Sequence, residues 1–110
     1  MVFLQTNHSR LWETKEYWLD SPCLSVEAAK WMIQNRVKLV GIDGPRLDCY
    51  GSQGRERYAV HEILHGNGVP VIENMANLKE FKDRGTAFIL PVKIRGIDAF
   101  PVRVIVIEEV

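Results

Sequence analysis

Two short apolar runs constrain this chain more than any other feature. Residues 38–43 (Lys-Leu-Val-Gly-Ile-Asp) and 69–73 (Val-Pro-Val-Ile-Glu) are too short for helices and end on carboxylates. Each follows a stretch with helical spacing. In residues 26–35, Ala28, Ala29, Met32 and Ile33 share one face. Ser25 stands there as N-cap, with Glu27 in the first turn, where the helix dipole favours negative charge. In residues 55–65, Ala59, Val60, Ile63 and Leu64 make the stripe and Gly66 the stop. Residues 1–6 form a first β-prone run, and a strand so close to the start is expected to derive from a larger ancestral domain. Gly44-Pro45 and Asn67-Gly68 punctuate the runs as breaks and turns.

The remainder is less regular. Residues 7–22 read as an irregular loop or broken helix, and residues 78–81 as a single helical turn. Residues 87–94 and 102–108 are two more strands, antiparallel neighbours across a Gly-Ile-Asp-Ala-Phe-Pro loop. The expected order is β-α-β-α-β-β-β, an α/β fold in which helices cover a mixed sheet, as one domain over residues 1–110.

Charge excludes several partners. Fourteen basic residues balance 14 acidic ones, and the basic residues are scattered, so neither nucleic acid nor an anionic membrane is expected as a partner. No apolar run approaches the roughly 18 residues of a membrane helix, and no leader pattern opens the chain; a cytoplasmic location is expected. Cys23 and Cys49, 26 positions apart in loops, fit neither metal-ligand spacing nor a disulfide framework and are expected to be free thiols.

Residues 61–65 (His-Glu-Ile-Leu-His) match the H-E-x-x-H pattern of zinc peptidases. Helical spacing puts His61 and His65 one turn apart, and Glu73 is the nearest third ligand. The pattern fixes only three residues and arises easily by chance, and His65 is better explained as a solvent-facing helix-end residue, favourable to the dipole. A different pair has more support. His61 flanks the apolar stripe, about 60° from Leu64 on a helical wheel, and can point inward. Glu73 closes a buried strand, where a carboxylate needs a cation, a donor or a metal. The two residues are either site residues or a structural histidine–glutamate hydrogen bond. Asp43 closes the other buried strand and is either a site carboxylate, as at the strand ends of open α/β sheets, or a turn residue. Trp12, Tyr17, Trp18 and Trp31 either line an aromatic pocket or pack the N-terminal loop onto the domain or a partner chain. There is no nucleophile elbow, phosphate loop or dinucleotide fingerprint.

Several stretches, in order, resemble the C-terminal half of the metal-dependent cyclase family, which includes kynurenine formamidase (arylformamidase). They are residues 4–12 (Leu-Gln-Thr-Asn-His-Ser-Arg-Leu-Trp), 22–29 (Pro-Cys-Leu-Ser-Val-Glu-Ala-Ala) and 38–45 (Lys-Leu-Val-Gly-Ile-Asp-Gly-Pro). His61, residues 72–78 (Ile-Glu-Asn-Met-Ala-Asn-Leu), 90–96 (Leu-Pro-Val-Lys-Ile-Arg-Gly) and 101–104 (Pro-Val-Arg-Val) complete the series. The resemblance implies a truncated swivelling β/β/α-type fold and a hydrolase for amide, ester or related bonds of small molecules. It implies a zinc or manganese site to which a helix histidine and a strand glutamate contribute. His61 and Glu73, 12 residues apart, match those positions. The family's upstream H-x-G-T-H-x-D-x-P-x-H segment has no counterpart here, and His8 does not replace it. Arg46 stands where a small hydroxyl residue is common, and Cys23 where glycine is.

Three functions remain open. The chain is a non-catalytic binding or interaction module, one half of a split hydrolase completed by a second chain, or a small zinc peptidase. Apolar surface left uncovered by a missing half implies a homo-oligomer.

Overall fold

The computed structural model describes residues 1–51 and 57–108. Three strands, β1 (Val2–Leu4), β2 (Val40–Ile42) and β3 (Val71–Ile72), form a parallel sheet in the order β1-β2-β3. Val2 pairs with Val40 and Val40 with Val71. Parallel neighbours require crossovers, and helices supply them. A 3₁₀ turn (His8–Leu11), α1 (Lys15–Leu19) and α2 (Val26–Gln34) separate β1 from β2, while α3 (Ala59–Gly66) separates β2 from β3. β2 is central and fully buried, which explains its uninterrupted apolar sequence.

Local chemistry sets the helix ends. The Ser25 hydroxyl accepts from the Ala28 N–H at 3.1 Å, as its N-cap position predicts. Thr14 caps α1 in the same way through the Tyr17 N–H. The expected start of the helical stretch over residues 55–65, at Arg55, lies outside the described residues, as do residues 52–54 before it. α2 and α3 place Ala29, Met32, Val60 and Leu64 against Val40 and Ile42, and Leu47 and Val69 close the cluster. Gly41 is required by packing: a Cβ there would sit 2.8 Å from the Phe3 ring.

Residues 1–78 form one compact unit and residues 79–110 another. A three-residue 3₁₀ turn (Leu78–Glu80) lies at the boundary, and the second unit holds an antiparallel hairpin, β4 (Gly85–Pro91) with β5 (Val102–Glu108). Phe88 faces Ile105, and Gly85 faces Glu108. Parallel and antiparallel strands therefore fall into separate sheets, whereas one mixed sheet was expected. The physical reason is pairing: β3 has two residues and hydrogen-bonds to β2, while β4 and β5 are each satisfied by the other.

A second expectation fails. Cys23 and Cys49 are joined in a disulfide and are not free thiols. Sequence spacing says nothing about the fold that brings the two loops together; the Leu24 N–H bonds the Leu47 carbonyl at 2.8 Å, and that contact places the cysteines side by side. With the free thiols gone, cysteine content no longer supports a reducing compartment. Among the described residues no helix is long and apolar enough to cross a membrane.

Candidate metal half-centre

His61 is the third residue of α3 and half-buried. The N-cap position of that helix is Tyr58, which offers no capping side chain. Asp48 takes over the task from the preceding loop. Its Oδ1 accepts from the Val60 N–H at 2.8 Å, and its Oδ2 accepts from the His61 N–H at 3.4 Å. The same Oδ2 meets the His61 ring at Nδ1. Asp48 is buried, 5% exposed, so three donors compensate a carboxylate that water does not reach.

The other face of the ring meets Glu73. Its Oε1 lies 3.3 Å from His61 Nε2 and accepts from the Leu47 N–H at 3.0 Å. The left-handed conformation of Asn74 (φ 57°) turns the chain just after Glu73, and the Asn74 N–H is held by the Gly44 carbonyl at 2.8 Å. An imidazole between two carboxylates favours the charged form. The Glu73 hydrogen bond, opposed by burial and reinforced by Asp48, raises the His61 pKa from 6.5 to about 9.

This pair borders a cavity of about 900 Å³, lined also by Arg46, Tyr50, Arg57 and Tyr58. Each arginine lies over a tyrosine ring, Arg46 over Tyr50 at 5.0 Å and Arg57 over Tyr58 at 5.1 Å. The cavity thus has a cationic, aromatic wall facing a histidine–carboxylate pair.

The geometry admits a metal. Two donors each about 2.1 Å from a tetrahedral zinc ion stand about 3.4 Å apart. Nε2 and Oε1 are 3.3 Å apart and converge. The Asp48–Nδ1 contact is the outer carboxylate that metal-bound histidines usually carry. Among the described residues no group of three or more His, Cys, Asp or Glu side chains is placed to hold a metal. The fit is that of half a centre.

The remaining candidates separate from this pair. Asp43 is buried, and its Oδ1 accepts from both the N–H (2.9 Å) and the hydroxyl (2.6 Å) of Thr6. It ties the end of β2 to the end of β1. His65 is exposed at the end of α3, with its ring edge-on to His61 at 5.3 Å. Both ring nitrogens of His61 are turned to Asp48 and Glu73 instead, so the H-E-x-x-H arrangement does not form a shared face toward one ion. Of the aromatic residues, Trp12 and Trp18 pack edge-on against Tyr17 at 5.1 and 5.3 Å, which itself stacks on His8 and donates to Asn74 Oδ1. Trp31 stands outside the cluster, 57% exposed. The sequence missed Asp48. The signal was indirect: a helix opening on Tyr58 has no local cap, so an acceptor must come from elsewhere.

Residues 1–49 match the Cyclase family model. Over that stretch the chain is similar to the cyclase family. It is 30% identical over 109 residues to Uncharacterized protein MJ0783 of Methanocaldococcus jannaschii, covering 97% of this chain and 53% of that protein. It is also similar to a solved structure of a potential metal-dependent hydrolase with cyclase activity, 27% identical, with a TM-score of 0.65. That match covers 86% of this chain and 47% of the other. The chain therefore spans about half the length of the relatives it matches. Its α/β architecture agrees with the neighbour's fold.

Proposed function

We propose that this chain contributes His61 and Glu73 to a zinc or manganese centre of a small-molecule amide or ester hydrolase of the kynurenine formamidase kind, with the other ligands coming from residues beyond these 110. The observation that supports this is the convergence of Nε2 and Oε1 at 3.3 Å, each donor held by a separate partner. A merely structural histidine–glutamate bond does not need a second, buried carboxylate behind the ring. When bound, the metal would polarise a carbonyl and activate water. The chain's own residues have simpler tasks: Asp48 and Leu47 orient the two donors, and Arg46, Tyr50, Arg57 and Tyr58 shape the cavity where a substrate would rest.

Self-association is part of this proposal. Phe88, Leu90, Ile105 and Ile107 lie on one face of the hairpin, each at least 46% exposed, and no net charge repels a second copy. A second copy laid on this face is the occupant we infer, and a monomer by light scattering at micromolar concentration would overturn it.

The decisive experiment mixes the chain with a separately expressed polypeptide that carries the H-x-G-T-H-x-D-x-P-x-H segment. Stoichiometric zinc and formamide hydrolysis are expected in the mixture, both lost in H61A and E73A. Zinc loading of the mixture that survives both substitutions would sink the proposal. Stoichiometric zinc on the chain alone, lost in H65A, would instead favour the peptidase. A chain that never loads zinc but retains small molecules in its arginine–tyrosine cavity would be the non-catalytic module.

A further inference from the structure

Two consecutive residues hold both convergent donors. Leu47 does so through its backbone N–H on Glu73, and Asp48 through its carboxylate on His61. The segment carrying them is fixed on both sides: the Leu47 carbonyl accepts from the Leu24 N–H, and Cys49 is bonded to Cys23. Leu47 itself is fully buried in the core.

We propose that Asp48 is a positioning residue that keeps the His61 proton on Nδ1, so that the Nε2 lone pair is directed at the space shared with Glu73. A neutral imidazole carries one N–H, and the partner of one nitrogen decides which. An ionised carboxylate only accepts, so each of the two carboxylates favours a proton on the nitrogen it meets. Asp48 is the more buried and the closer, whereas Glu73 Oε1 lies 3.3 Å from Nε2 and is more exposed to water, so the neutral ring keeps its proton on Nδ1. Asp48 cannot swing away, because Val60 and His61 backbone N–H groups hold it at the start of α3. One side chain therefore sets the helix start and the ring tautomer together. The purpose of this arrangement rests on His61 serving as a ligand; the orientation itself does not.

Asp48→Asn separates the two tasks. Its Oδ1 can still accept from the Val60 N–H and keep the cap, but its NH₂ group then donates to Nδ1 and drives the proton to Nε2. Long-range ¹H–¹⁵N correlations on metal-free protein at pH 10, where the ring is neutral, read the tautomer directly. The wild type is expected as Nδ1–H and D48N as Nε2–H, at unchanged fold by circular dichroism. A zinc titration of the mixture with the second polypeptide at pH 7.5, followed at the His61 ring in a His65→Ala background, should weaken at least about tenfold in D48N. An unchanged tautomer in D48N would overturn the inference, because a capping role alone survives that substitution. Should D48N not fold, an Nε2–H tautomer in the wild type would overturn it just as directly. A tautomer switch without any zinc response at wild-type His61 would instead reject the ligand role proposed for His61 and Glu73.

Discussion

Residues 1–78 and the hairpin beyond them share the same raw materials and use them differently. The first unit has short strands of two or three residues, yet among the described residues it contains every fully buried side chain. The hairpin has the longest strands, seven residues each, and among its described residues none is buried. Strand-forming sequence and core-forming sequence are therefore separate properties. Val104 and Val106 satisfy a β-strand as well as Val40 does, but Val40 is fully buried and they are not. A two-stranded ribbon is marginal in water by itself, so the hairpin's apolar face needs a second surface.

The contrast can be broken most severely in the first unit. Leu64→Ala empties a fully buried position between α3 and β2, and should cost about 4 kcal/mol in urea unfolding, with a fall in the denaturation midpoint. A loss below 1 kcal/mol would mean that this core is not where the stability resides.

Next in size is the disulfide. Cys23–Cys49 closes a loop of 26 residues in the first unit, and replacing both cysteines with alanine should cost about 3 kcal/mol. Because Cys49 adjoins Asp48, the His61 ring resonances should shift as well. Thiol counting on protein purified without reductant checks the bond directly, and two reactive thiols would remove it from the account.

A smaller effect follows from charge. The folded His61 titrates at about 9 against about 6.5 unfolded, so between those values the native state holds the extra proton. Stability of the metal-free protein should be full below pH 6.5 and decline as pH rises through 9. Glu73→Gln should flatten that decline, since the Glu73 bond is the largest cause of the shift.

The smallest expected change in stability is in the hairpin. Phe88→Ser and Ile107→Ser, at exposed positions, should alter monomer stability by no more than about 0.5 kcal/mol. Their effect should appear in association, as a shift toward monomer by sedimentation. Unaltered association would place the self-contact elsewhere.

Much of the fold was legible. Ser25 and the apolar stripe located α2, the carboxylate-ended runs located β2 and β3, and alternating apolar residues located the hairpin. These signals are local: periodicity, caps and turns act within a few residues of each other. The pairing of His61 with Glu73 was legible as a need, because a carboxylate at the end of a buried strand must find a partner. Asp43 posed the same need, and Thr6 meets it, 37 residues away.

The sequence by itself determined which segments become helix and strand, and that two acidic residues would require partners. Only the tertiary structure decided which partners they have. Asp48 reaches His61 across 13 residues, and Cys23 reaches Cys49 across 26. The separation of the strands into two sheets was decided in the same way. Contacts of that range depend on how elements pack after they form, and no local pattern of residues carries that information.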